Sequence, residues 1–151
     1  MKKIISVLLC LILTLSLCGC SSDKALVGKD IIGNVGDTVD VVFEIEKDIQ
    51  LAAADLVLEY DSTVLEYVST NKIYEFESGY VSGNSPEAGN VKVAIVTLDY
   101  PTKGGDLFSV SFKILKKCKS GSNVKVSCTS CCDLEYNKFE LGCKGAKVFS
   151  K

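Results

Sequence analysis

Alternation with a period of two constrains this chain more than any other feature. Val39, Val41, Phe43 and Ile45 fall on one side of an extended backbone, with Asp40, Val42, Glu44 and Glu46 on the other. The rhythm returns in Ala54, Leu56, Leu58 and Tyr60 against Asp55, Val57 and Glu59, and in Phe108, Val110, Phe112 and Ile114 against Ser109, Ser111 and Lys113. It returns once more in Val124, Val126 and Cys128 against Lys125, Ser127 and Thr129. Successive side chains of a strand point to opposite faces, so such segments bury one face and wet the other. Val91 to Leu98 is an almost unbroken β-branched and aliphatic run, and Ala146 to Phe149 reads as a last strand. No stretch carries a 3.6-residue apolar stripe of helix length. Gly33 to Asp37, Ser82 to Pro86, Lys103 to Asp106 and Lys119 to Asn123 are rich in turn formers and read as breaks. Many short strands between Gly-rich turns predict an all-β antiparallel sandwich or barrel in a single domain.

The front of the chain has a different grammar. Lys2 and Lys3 precede Ile4 to Leu17, an almost purely apolar run of 14 residues, the layout of a secretory signal. As a helix this run would span about 21 Å, short of the ~30 Å hydrocarbon core of a bilayer. Leu17-Cys18-Gly19-Cys20 follows, then Ser21-Ser22, and it resembles a bacterial lipobox. That resemblance implies a signal peptide over residues 1–19, Cys20 as the lipidated first residue, a polar tether over residues 20–29 and the folded domain over residues 30–151. Two acyl chains suffice for stable anchoring, so the implied location is the extracellular face of the bacterial cytoplasmic membrane.

Composition narrows the function classes. Without residues 1–19 the chain keeps 132 of its 151 residues, with 15 lysines against 19 carboxylates and hence a net charge of −4. There is no Arg, and an acidic chain lacking Arg is poorly suited to neutralising phosphates or reading bases. Nucleic acid is therefore not an expected partner. The chain has no His, which removes Ser-His-Asp and Cys-His schemes. The carboxylate pairs Glu44/Glu46 and Glu75/Glu77 sit two residues apart with no sign of a pocket between them, so glycosidase chemistry is not expected. No EF-hand loop occurs, and the chain is read as non-catalytic, without a cofactor or a metal of its own.

Three blocks, in order, resemble the cohesin domain family. They are Gly36-Asp37-Thr38-Val39 at a strand entry, the strand-turn segment LVLEYDSTVLEYV from Leu56 to Val68, and DLFSVSFKIL from Asp106 to Leu115. The resemblance spans residues 27–149 and implies a nine-stranded jelly-roll β-sandwich, similar also to carbohydrate-binding modules. It further implies a dockerin-bearing polysaccharide-degrading enzyme as partner, with any calcium carried by the dockerin. Asp55 falls where cohesins commonly place an acidic contact residue, while Ala53 stands where an Asn is common. Strand parity puts Val57 on the face of Asp55, and Ala94, Val96 and Leu98 on the outward face across the sheet, with Asp99 as an acidic rim. Within the turn, Asp61 can accept backbone N–H groups, while Val64 and Leu65 tuck beneath the sheet end.

Two other roles stand beside the adaptor. A surface carbohydrate-binding module, with polysaccharide as ligand, would use a row of aromatics; there is no Trp, but Tyr74, Phe76 and Tyr80 lie close in sequence. A structural envelope lipoprotein would pack this face on another protein. Cys118, Cys128, Cys131, Cys132 and Cys143 are an odd set that the family does not require. One or two disulfides, free thiols, or zinc held by the Cys128-x-x-Cys131-Cys132 run with Cys143 are the open readings.

Overall fold

The computed structural model describes residues 24–46, 49–75, 78–98 and 104–151. Cys20, Asp99, Phe76 and the whole signal segment lie outside these residues. The described chain holds eleven strands: β1 (Lys24–Gly28), β2 (Ile31–Gly33), β3 (Thr38–Ile45), β4 (Ala53–Tyr60), β5 (Leu65–Lys72), β6 (Gly79–Glu87), β7 (Asn90–Thr97), β8 (Gly105–Ile114), β9 (Ser122–Cys132), β10 (Gly142–Lys144) and β11 (Ala146–Ser150). They form a five-stranded sheet, β10-β1-β3-β8-β5, and a six-stranded sheet, β2-β11-β9-β4-β7-β6.

The expected alternation becomes the core. Val41, Phe43 and Ile45 of β3 face Ala54, Leu56 and Leu58 of β4, and all six are buried. Phe108, Val110, Phe112 and Ile114 of β8 complete one inner face, and Val91, Val93 and Ile95 of β7 the other. Phe43 stacks on Phe108 with ring centroids 4.9 Å apart. Tyr60 crosses from the opposite sheet to pack on Phe112, also at 4.9 Å. Such aromatic pairs add to the apolar burial that holds a sandwich closed.

Three local expectations need correction. The sandwich has eleven strands rather than nine, the extra ones being short. Residues 24–28 are not tether: they form β1, whose Ala25, Leu26 and Val27 are buried between β3 and β10. Flanking polar residues hid a five-residue strand from a reading based on charge. Ser82 to Pro86 is not a break but the middle of edge strand β6. Glycine is required there because a Cβ on Gly83 would lie 2.1 Å from Thr70 Oγ1 on β5. At this edge the two sheets touch, and the Tyr67 hydroxyl donates to the Gly83 carbonyl at 3.2 Å.

The turn at Asp61 forms as its chemistry requires. Asp61 Oδ1 accepts the Thr63 N–H at 2.9 Å and the Thr63 hydroxyl at 2.8 Å, and Leu65 is buried below. These Thr63 bonds hold the Asp61 carboxyl below its ordinary pKa.

Candidate docking face

The two outer faces of the sandwich differ in kind. On the five-stranded sheet, the Ser111 hydroxyl donates to Asp40 Oδ1 at 2.5 Å and accepts from Ser69 and Asn71. The Lys29 ammonium bridges Glu44 and Asp106 at 2.8 and 2.5 Å. These polar groups of that face satisfy one another.

The six-stranded sheet instead presents rows of outward side chains set by strand register. Asp55 on β4 lies between Ala94 on β7 and Ser130 on β9, with Ser82 beyond Ala94. One row away toward the start of β4, Ala53 lies between Val96 and Cys132, with Tyr80 beyond Val96. In the other direction Val57 lies between Lys92 and Ser127, and then Glu59 lies between Asn90 and Lys125. Asp55 is exposed and Ala94 and Val57 are half-buried. Val96, Tyr80 and Leu98 are 38%, 54% and 68% exposed. These are large fractions for apolar side chains that are neighbours on one sheet. Among the described residues no group hydrogen-bonds or ion-pairs with the Asp55 carboxylate; its backbone is paired in the ladder with β7 and β9, and its carbonyl also accepts the Thr129 hydroxyl at 3.0 Å.

Strand parity thus brings Asp55, Val57, Ala94 and Val96 onto one face, and Leu98 extends it just past the end of β7. Sequence reasoning missed that Tyr80 and Lys92 share this face. Tyr80 lies close in sequence to Tyr74 and Phe76, but Tyr74 packs half-buried against the core, so the two tyrosines do not form a row. The misread β6 caused the omission, since Tyr80 takes its direction from pairing with Val96.

The five domain cysteines are free thiols. Cys131 is buried, and Cys128 and Cys143 pack beside it against the core. Cys132 turns outward next to Ala53. No group of three or more His, Cys, Asp or Glu able to hold a metal occurs among the described residues, so the zinc reading of the Cys128-to-Cys143 set finds no support in the geometry.

The cohesin domain model matches residues 25–137. Among solved structures, a non-cellulosomal cohesin from the archaeon Archaeoglobus fulgidus superposes with a TM-score of 0.73 at 16% identity, covering 84% of this chain and 90% of that one. The sixth cohesin of scaffoldin B from Acetivibrio cellulolyticus, solved with a Cel5 dockerin, gives 0.69 at 21% identity over 83% and 97% of the two chains. A Clostridium thermocellum OlpA cohesin, solved with the dockerin Doc918, gives 0.69 at 16% identity over the same shares. No curated protein matches the chain. Identities this low speak for the fold alone, but the family model covers most of the chain, and the chain belongs to the cohesin domain family.

Proposed function

We propose that the outer face of the six-stranded sheet docks a dockerin module, making this chain a non-catalytic adaptor for dockerin-bearing polysaccharide-degrading enzymes. The observation that carries the reading is an exposed Asp55 carboxylate, without a partner among the described residues, beside an exposed apolar strip of Val96, Leu98 and Tyr80. Apolar surface supplies area to desolvate, and the carboxylate supplies register and electrostatic steering. Cohesins solved with dockerins share this fold, which supports the partner class. Val57 and Ala94 form the floor of the contact, and Asp99 is its second acidic margin. Cys20 carries the lipid that holds the module at the outer surface of the cytoplasmic membrane.

The test is capture by the full-length chain in detergent, with a panel of calcium-loaded dockerin modules and with insoluble polysaccharide as the rival ligand. Capture of a dockerin that is lost on chelation is the expected result. Retention on polysaccharide alone overturns the adaptor reading in favour of a glycan-binding surface. For the anchor, cells fed a labelled fatty acid should label the wild-type chain and not Cys20→Ala; equal labelling of both sinks the lipidation assignment.

A further inference from the structure

We propose that Cys128 and Cys131 are a dithiol that closes to a disulfide across a bulge in β9, clamping the backbone beside Asp55. The register carries the first step. Leu56 of β4 is opposite Cys128, Asp55 is opposite Ser130 and Ala54 is opposite Cys131, so Thr129 is an extra residue. Two residues three apart on a regular strand point to opposite faces. The bulge cancels that difference and turns both thiols inward. Both pack against the core, and Cys128 donates to the Ser130 carbonyl at 3.3 Å.

The surroundings supply access and a spectator thiol. A cleft of about 370 Å³, lined in part by Cys128, Cys131, Phe139 and Leu141, opens at the pair. The Cys131 thiol donates to the Phe139 carbonyl at 2.9 Å. Cys143, on β10, donates to the Leu141 carbonyl at 3.3 Å. Burial pushes the Cys128 thiol up to about 12, so the attacking thiolate is scarce at neutral pH and exchange is slow until the solution is alkaline or the chain is folding.

The co-reactant is a low-molecular-weight disulfide. One thiolate attacks it and expels a small thiol; the second attacks the resulting mixed disulfide and expels another. Two protein thiols and one small disulfide thereby become one protein disulfide and two small thiols, with both electrons and both protons passing to the small molecule. The new bond spans Thr129 and Ser130. Thr129 holds the Asp55 carbonyl and Ser130 is the cross-strand neighbour of Asp55, so closure restricts the backbone on which that carboxylate is mounted.

The full-length chain, in detergent, is incubated with oxidised glutathione at mildly alkaline pH, alkylated without reduction and digested with trypsin. Residues 126–138 form one tryptic peptide containing Cys128, Cys131 and Cys132, and residues 139–144 form another containing Cys143. The expected result is a 126–138 peptide lighter by two hydrogens with a single alkyl label on Cys132, and an alkylated Cys143. Cys132→Ser keeps the internal bond, and hydrogen exchange over residues 126–132 and 53–57 slows on oxidation. A cross-link between the two peptides, a glutathione adduct left on Cys128, loss of the bond in Cys132→Ser, or unchanged exchange overturns the proposal. None of these readouts involves a docking partner, so they stand apart from the fate of the adaptor reading.

Discussion

Asp55→Lys separates docking from folding more cleanly than any other single change. The side chain is exposed, and among the described residues nothing engages its carboxylate. The free domain therefore loses no contact, and a change of stability within about 0.5 kcal/mol is expected. In a complex the same carboxylate would be covered, flanked by the small Ala94 and Ser130, which leave room for a donor to reach it. Removing one partner of a desolvated, hydrogen-bonded charge pair costs at least about 2 kcal/mol, or roughly a 30-fold weaker Kd. Reversal of charge adds repulsion and slows association. Calorimetry with a calcium-loaded dockerin that the wild type captures, beside thermal unfolding of both proteins, gives the two numbers needed. Asp55→Asn should fall between wild type and Asp55→Lys, since it keeps an acceptor and loses the charge. Unchanged affinity in Asp55→Lys, with unchanged unfolding, would refute the assignment of this residue; lost affinity with a large drop in Tm would refute the premise that it does no structural work.

Three further predictions follow from the core, the sheet edge and the Asp61 turn. Phe112→Ala removes a fully buried ring that contacts Tyr60 and Tyr67, and urea denaturation should show a loss of about 3–5 kcal/mol. Gly83→Ala drives a methyl into Thr70 and should cost about 1–3 kcal/mol, with the damage centred on the β5–β6 edge in amide exchange. Asp61 has its folded pKa depressed by the Thr63 bonds. Its contribution is therefore present above the unfolded carboxylate pKa of about 3.9 and is lost as pH falls through the lower folded value. Asp61→Asn should flatten the acid limb of the stability curve in that window and leave the slope near neutral pH unchanged.

Strands with one wet face were legible because burial enforces alternation: β3, β4 and most of β9 follow their side-chain parity, whereas in β8 the inner face was readable but Ser109 and Ser111 on the other side are buried as well. Of the short strands only β11 was read, from Ala146 to Phe149; β1, β2 and β10 were not. β1 has only five residues, and β2 and β10 have three each, too few for a period to emerge. β6 is built from residues that favour turns, and its extended form is imposed by packing against β5 and pairing with β7. Of the candidate face, Asp55, Ala94 and Val96 were readable from parity alone. Tyr80 was not, because its strand was not. The nearness of Cys128 to Cys131 was equally hidden, since parity assigns them opposite faces and only the extra residue at Thr129 brings them together.

β1 opens at Lys24, antiparallel to β3 with Leu26 opposite Ile45, at the end of the sandwich where β4 begins with Ala53. With an acyl group on Cys20, four peptide steps would separate the lipid from the first strand, a reach of about 14 Å at full extension. The Val96 and Tyr80 end of the proposed docking strip would then lie nearer the phospholipid headgroups than the end at Glu59 and Lys125. A guest would have to slide in edge-on, and its permitted bulk would be set by clearance above the bilayer as much as by chemical fit.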